Sequence, residues 1–214
     1  MHSHQENQLK LLMMLRAAGV RNTKVLAAME SIPREYFIMP AFMDKAYDDT
    51  ALPIACGQTI SQPSIVALMC EFLGPNDRLR VLEIGTGCGY QAAILSKIFR
   101  MVYTIERHES LYEQANKSFQ RLSIHNITTR KADGSKGWPS AAPFERIVAT
   151  AAAKEPPSAL LDQLSAENGV MVIPVGEESR QQSLLRITRT SQGFREESLM
   201  QVRFVPLVEE SSDS

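Results

Sequence analysis

Val81-Leu82-Glu83-Ile84-Gly85-Thr86-Gly87-Cys88-Gly89-Tyr90 is the stretch from which the rest of the chain takes its reading. Its first four residues are largely apolar and suit a buried strand, and three glycines at alternate positions then form a tight turn. A helix-forming run, Gln91-Ala92-Ala93-Ile94-Leu95, follows. A strand, a glycine turn and a helix in that order let backbone N–H groups approach a ligand closely, because glycine has no Cβ to block them. The spacing is G-x-G-x-G, not the G-x-G-x-x-G of most dinucleotide binders. Taken alone, the turn is also compatible with a purely structural strand-turn-helix.

Downstream, Met101-Val102-Tyr103-Thr104-Ile105 reads as a second strand ending at Glu106, 21 residues after Gly85. That is the distance at which an acidic side chain accepts hydrogen bonds from ribose hydroxyls. The bland alternative is that Glu106 opens a solvated loop. Residues 109–122 have a helical period with Leu111, Ala115, Phe119 and Leu122 inward, and Ile127-Thr128-Thr129-Arg130-Lys131 forms a third strand leading to Asp133-Gly134. This pair is either an ordinary turn or a carboxylate offered to an amino group of a base. A fourth strand over 144–150 runs into Ala151-Ala152-Ala153, whose small side chains leave room outside the strand ends, where open α/β sheets bind ligands. A helix after Pro156-Pro157, the turn Asn168-Gly169 and the strand Val170-Met171-Val172-Ile173 complete the alternation. Residues 183–187 and 198–208 then flank Ser191-Gln192-Gly193 as an antiparallel hairpin, and residues 209–214 read as a frayed tail.

Upstream, residues 5–18 form an amphipathic helix with Leu9, Leu12, Met13 and Leu15 on one face and Gly19 as its stop. Asn22 or Thr23 caps a second helix carrying Val25, Leu26 and Met29, which ends before Pro33. Residues 33–63 lack periodicity and carry prolines at 33, 40, 53 and 63; a long irregular stretch inside a compact domain is often functional. It closes on Gly57-Gln58-Thr59-Ile60-Ser61-Gln62-Pro63, after which Ile65, Leu68, Met69, Phe72 and Leu73 mark a helix face ended by Gly74. Ser61 has two readings. A serine before Gln-Pro at a helix start is a good N-cap, worth about 1 kcal/mol. A functional hydroxyl is the other, with no histidine base nearby in sequence and no G-x-S-x-G elbow.

The chain of 214 residues, 44% hydrophobic and 22% charged, reads as one domain: a helical cap and loop over 1–63, an α/β core over 64–208 and a tail over 209–214. The fold expected is a Rossmann-like, doubly wound, mostly parallel sheet with helices on both faces and a C-terminal antiparallel hairpin. A net charge of −1 supplies no global field for nucleic acid or an anionic membrane. Cys56, Cys70 and Cys88 are odd in number with no CxxC pair, and the four histidines, His2 and His4 among them in a flexible terminus, form no ligand pattern. Neither a disulfide framework nor a metal site is expected. The apolar run Leu11-Leu12-Met13-Met14-Leu15 is too short for a signal core or a membrane span. A cytoplasmic monomer is expected.

The glycine turn, the acidic second strand end and the terminal hairpin together resemble the class I methyltransferases that use S-adenosyl-L-methionine. Within that superfamily the chain is similar to the protein-L-isoaspartate O-methyltransferases, the bacterial form above all. The likeness is carried by Ala51-Leu52-Pro53-Ile54, Gly57-Gln58-Thr59-Ile60-Ser61-Gln62-Pro63, the Val81 to Gly87 turn with Gly89-Tyr90-Gln91, Pro143-Phe144, Thr150-Ala151-Ala152, Ile173-Pro174-Val175-Gly176 and Arg203-Phe204-Val205-Pro206-Leu207. It runs from about residue 9 to about residue 208.

The resemblance implies methylation of the α-carboxylate of L-isoaspartyl residues, and of some D-aspartyl ones, in damaged proteins and peptides, leaving S-adenosyl-L-homocysteine. Carried over by position, Gly85 and Gly87 approach the methionine portion of the cofactor and Glu106 holds its ribose. Asp133 with Gly134 contacts the adenine side, and Glu83 and Thr86 shape the pocket. Ser61 becomes the active-site residue, with Gln58, Thr59 and Ile60 beside it and Val205, Pro206 and Leu207 lining the peptide groove. Ala55-Cys56, Cys88 in place of a common serine, and Ala132 before Asp133 depart from the family pattern without removing a charge that the chemistry needs. Two other classes remain: a methyltransferase of another carboxylate or a small molecule, and a non-catalytic binder of the cofactor. An NAD-linked dehydrogenase fits the glycine spacing and the terminal hairpin less well.

Overall fold

The computed structural model describes residues 4–177 and 181–208; the expected frayed tail over 209–214, and His2, lie outside the described residues. Two helices open the chain, α1 (His4–Ala17) and α2 (Thr23–Ser31). Asn22 caps α2, its side-chain oxygen accepting from the backbone N–H of Lys24 at 3.0 Å and Val25 at 3.2 Å. On α1 the buried pair is Leu11 and Leu15, whereas Leu9 is 61% and Met13 65% exposed. The face expected from Leu9 and Met13 is therefore wrong. A run of five consecutive apolar residues offers two i,i+4 stripes, and periodicity does not say which one packs.

Residues 33–63 contain short single-turn helices and a two-stranded antiparallel ribbon of β1 (Leu52–Pro53) and β2 (Thr59–Ile60), closed by Ile54 N–H donating to the Gln58 carbonyl at 2.9 Å. Helix α3 (Pro63–Phe72) follows. It buries Val66, Ala67, Met69, Cys70 and Leu73 and leaves Ile65, Leu68 and Phe72 half-buried, a rotation of the expected face. So apolar a helix has no polar stripe to fix its rotation in advance.

The core alternates as β3 (Asn76–Ile84), α4 (Tyr90–Ile98), β4 (Phe99–Glu106), α5 (Glu109–Arg121), β5 (Ile127–Lys131), β6 (Arg146–Ala149), α6 (Ser158–Asp162), β7 (Val170–Val175), β8 (Gln182–Thr190) and β9 (Gly193–Val202). The seven strands lie in the order β5-β4-β3-β6-β7-β8-β9; β5, β4, β3, β6 and β7 are parallel, and β8 pairs antiparallel with both β7 and β9. The chain winds outward from β3 through β4 and β5, then crosses to β6. The carboxyl ends of β3 and β6 therefore flank the switch point where such sheets open a crevice.

Both faces of the sheet are covered, so the inner strands β6 and β7 are nearly continuous in apolar residues, whereas the edge strand β5 is mostly polar. Alternation along β3 sends Val81 into the core shared with α1 to α5, and Leu82 and Ile84 into the core shared with Phe144, Leu160 and Met171. Glu83 shares Val81's face.

The expected last strand over 198–208 is displaced: β9 ends at Val202, and residues 203–208 cross back over the sheet end. Ala152 N–H donates to the Val205 carbonyl at 2.8 Å, and Leu207 N–H donates to the Ala152 carbonyl at 2.7 Å. The buried Gln182 amide clamps the crossing, accepting from Phe204 N–H at 2.6 Å and donating to the Phe204 carbonyl at 3.1 Å. The room expected beside Ala151 to Ala153 is thus partly taken by the chain itself, and Ala152's lack of a large side chain admits it. No helix among the described residues is long and apolar enough to cross a membrane.

Candidate active site

Gly85 has φ +92°, and a Cβ there would lie 2.4 Å from the Thr150 hydroxyl oxygen, so the position excludes other residues on both counts. Thr150, at the end of β6, donates from that hydroxyl to the carbonyls of Ile84 at 3.0 Å and Gly85 at 2.7 Å, tying the turn to the neighbouring strand. The N–H groups of Gly85, Thr86, Gly87 and Gly89 are already engaged. Gly85 and Thr86 donate to the Ile105 carbonyl at 2.9 and 3.1 Å, Gly89 donates to Thr86, and Gly87 donates to the Glu106 carboxylate at 2.8 Å. The close approach expected of this turn comes from its missing side chains, not from free donors at 85–87. A pyrophosphate would want those donors, which weakens the dehydrogenase reading.

Glu106 is buried at the end of β4. One carboxylate oxygen takes the Gly87 N–H, and the other takes His108 N–H at 2.9 Å. Each oxygen keeps a second lone pair, so a rigidly held acceptor edge remains for hydroxyl groups.

A cleft of about 870 Å³ opens beside it, and its lining gathers Gln58, Thr59, Ile60, Ser61, Gly85, Thr86, Gly87, Glu106, Gly134, Val205, Pro206 and Leu207. A Cβ on Gly87 would stand 3.6 Å from the Ile54 side chain, so the glycine turn and the β1–β2 ribbon face each other closely.

Two expected cofactor residues stand elsewhere. Asp133 caps the turn after it, accepting from the N–H and hydroxyl of Ser135 at 2.9 and 2.7 Å, with the Lys136 ammonium 3.7 Å from its other oxygen. It borders a separate depression with Arg107 and Arg130, and only its neighbour Gly134 reaches the cleft. Glu83 is turned away by strand alternation and lies beneath the glycine turn, fully buried. Thr104 donates to one of its oxygens at 2.6 Å, and the Thr86 hydroxyl sits 2.6 Å from that of Thr104. Among the described residues its second oxygen has no hydrogen-bond partner.

Burial pushes the Glu83 carboxyl up to about 8; the Thr104 hydrogen bond opposes this and the Glu106 charge adds to it. Glu83 is therefore protonated at neutral pH. The unfolded chain releases this proton near pH ~4.3, so stability is fullest below that pH and falls as pH rises through about 8. Glu83→Gln cannot titrate and keeps an acceptor for Thr104. It should melt at a higher temperature than the parent at pH 8, by an amount worth a few kcal/mol at about 1.4 kcal/mol per pH unit. Near pH 4 the two melting curves should converge. Parallel pH profiles in thermal melts would show that Glu83 is ionised in the fold.

Ser61 is half-buried between β2 and α3. The capping role is not its own: the N-cap of α3 is Gln62, without a side-chain cap, and the Ser64 N–H is taken at 2.9 Å by Asp49 from across the loop. The Ser61 hydroxyl has no hydrogen-bond partner among the described residues, while its carbonyl accepts from Arg34 at 2.9 Å. With Thr59, Ser61 also borders a second groove of about 1260 Å³ walled by Gln62, Ile65, Met200 and Phe204, so it stands where two cavities meet.

Sequence reasoning missed Arg34, Asp49, Thr150 and Gln182, each of which holds a loop of the site by a contact distant in sequence. Only Thr150 and its strand end carried a signal. Of the departures from the family pattern, Cys56 adopts φ +58° with its thiol 3.1 Å from the Ser110 hydroxyl. Cys88 is buried, and burial pushes its thiol up to about 11.

Residues 5–212 match the family described as protein-L-isoaspartate(D-aspartate) O-methyltransferase. The protein-L-isoaspartate O-methyltransferase of Rhodospirillum centenum is 58% identical over 94% of this chain and 91% of its own length. That of Parvibaculum lavamentivorans is 51% identical over 98% of this chain and 95% of its own. Among solved structures, a protein-L-isoaspartate O-methyltransferase superposes with a TM-score of 0.86 at 29% identity, covering 94% of this chain; this chain spans 66% of that longer one. A Plasmodium falciparum structure described as a protein-L-isoaspartate O-methyltransferase, in complex with S-adenosyl-L-homocysteine, superposes with a TM-score of 0.82 at 26% identity over 98% of this chain and 100% of its own.

Proposed function

The chain belongs to the protein-L-isoaspartate(D-aspartate) O-methyltransferase family, and on that premise we infer that it transfers a methyl group from S-adenosyl-L-methionine to the α-carboxylate of L-isoaspartyl residues in proteins and peptides. The observation that carries this reading is the meeting of two loops at one cleft. The unpartnered Ser61 hydroxyl stands on one wall, and the glycine turn with the braced Glu106 carboxylate stands on the other.

The cleft fits the cofactor by its donor set. Glu106 offers acceptors for two neighbouring ribose hydroxyls, Ile84 and Ile105 give an apolar surface for a flat base, and the bare backbone at Gly85 and Gly87 leaves room for an amino-acid chain. When bound, S-adenosyl-L-methionine supplies an electrophilic methyl group on a sulfonium and leaves as S-adenosyl-L-homocysteine.

The chain's own residues align and shield. The attacking carboxylate is already ionised at neutral pH, since carboxyl groups titrate near pH ~4. No general base is required, and no proton moves. Ser61 donates a hydrogen bond that fixes the carboxylate in line with the methyl carbon and forms no covalent intermediate. Such alignment is worth ~7–11 kcal/mol. Ile60, Val205, Pro206 and Leu207 keep water from the reacting oxygen. Gln58 and Thr59 border the same opening and contact the peptide. The net charge of −1 favours peptide over nucleic-acid partners.

The test offers the enzyme an isoaspartyl peptide, its normal aspartyl twin and a labelled methyl donor. Label should enter only the isoaspartyl peptide. Equal labelling of both, or of neither, would overturn the assignment.

A further inference from the structure

Arg34 lies in the single-turn helix Arg34–Phe37 and is fully buried, with 0% of its surface exposed. It makes no ion pair among the described residues. One terminal nitrogen donates to the Ser61 carbonyl at 2.9 Å, while among the described residues Nε and the other terminal nitrogen have no well-formed hydrogen bond, the Tyr90 hydroxyl being the polar group that faces the guanidinium. The guanidinium carbon stands 4.8 Å from the centroid of the Tyr90 ring, which in turn meets Phe37 edge-on at 5.4 Å. A guanidinium cannot shed its charge under ordinary conditions, and burying it without a carboxylate is costly. The polar groups that act on it are foremost the Tyr90 hydroxyl, then the Cys88 thiol and last Asp49, an oxygen of which is already engaged by Ser64 N–H.

We propose that Arg34 is a positioning residue that selects the ionised form of the substrate: it holds the Ser61 peptide from behind and sets a permanent positive charge beneath the point where the carboxylate docks. This rests on the methyltransferase reading above. In the transfer, a carboxylate oxygen forms a bond to the methyl carbon while the sulfur–methyl bond breaks, so the anion and the sulfonium both lose their charge. A fixed cation beside the anion therefore steadies the bound substrate more than the transition state. Its loss should appear in KM more than in kcat.

The experiment compares the parent, R34M and R34K. Each is assayed for methylation of an isoaspartyl peptide and for binding of that peptide against its uncharged α-carboxamide counterpart, with S-adenosyl-L-homocysteine affinity as a control. The parent should methylate the peptide and prefer the carboxylate. R34M should raise KM and lose the carboxylate preference by about tenfold, the size of a partly shielded charge interaction, with cofactor affinity unchanged. R34K, which keeps the charge, should keep the preference. If R34M does not fold, R34Q provides the uncharged comparison.

An active parent whose carboxylate preference survives in R34M or R34Q overturns the role of Arg34 alone. So does a loss shared equally by R34K together with cofactor binding and melting temperature, which would mean plain packing. A parent that methylates no isoaspartyl peptide overturns the functional reading, and this inference with it.

Discussion

Replacing Glu106 with alanine is expected to weaken S-adenosyl-L-homocysteine binding by at least about a hundredfold, because two hydrogen bonds to a charged acceptor are lost at ~1.5–3 kcal/mol each. The carboxylate has two jobs in the structure. It receives the N–H groups of Gly87 and His108 at 2.8 and 2.9 Å, and it offers its remaining lone pairs to the cleft. Alanine strands both N–H groups, so the variant should also lose roughly 1–3 kcal/mol of stability before any ligand is added. The two effects separate by experiment: calorimetry with the cofactor product reads the first, and denaturant unfolding without it reads the second. Glu106→Gln sharpens the comparison. An amide accepts from one N–H group but presents its own hydrogens to the other, so it cannot brace both. Unchanged affinity in Glu106→Ala would sink the ribose assignment, whatever happened to stability.

Glu106 also illustrates what was legible in the sequence. Its distance from Gly85 and its position at a strand end are local properties, and the strand-turn-helix order repeats along the chain. The α/β alternation, the parallel core and the glycine turn could therefore be read directly. Helix rotation could not be read where apolar residues were too plentiful, as in α1, where Leu9 and Met13 face solvent while Leu11 and Leu15 pack. Nor could the fate of residues 203–208, because the Gln182 amide that pulls them off the sheet sits some twenty residues away and has no motif. The likeness to a family assigned Glu83 to the pocket, whereas strand alternation puts Glu83 and Ile84 on opposite faces of the sheet. The structure seats it below the turn as a buried support. Spacing finds residues that act through backbone geometry. It misses those, such as Arg34 and Asp49, that act by holding another loop from a distance.

Ser61→Ala tests the part of the site that no periodicity could assign. As a sequence feature, Ser61 reads more readily as a helix cap than as a functional hydroxyl, and the two roles predict opposite outcomes. A capping serine replaced by alanine costs about 1 kcal/mol of stability and leaves chemistry alone. In the structure, however, the α3 N-terminus is served by Asp49 on Ser64 N–H, and the Ser61 hydroxyl is unengaged at the junction of two cavities. Removing an unengaged hydroxyl that opens onto a cavity should change stability by no more than about 0.5 kcal/mol. Turnover should fall by about a hundredfold, the usual penalty when a reacting group is displaced by an ångström from its line of attack. S-adenosyl-L-homocysteine affinity should hold, since the opposite wall of the cleft binds it. The pattern to look for is a drop in kcat with a level melting temperature and a level cofactor affinity. Unchanged turnover with a lowered melting temperature would return Ser61 to capping and leave the carboxylate without its proposed hydrogen-bond donor.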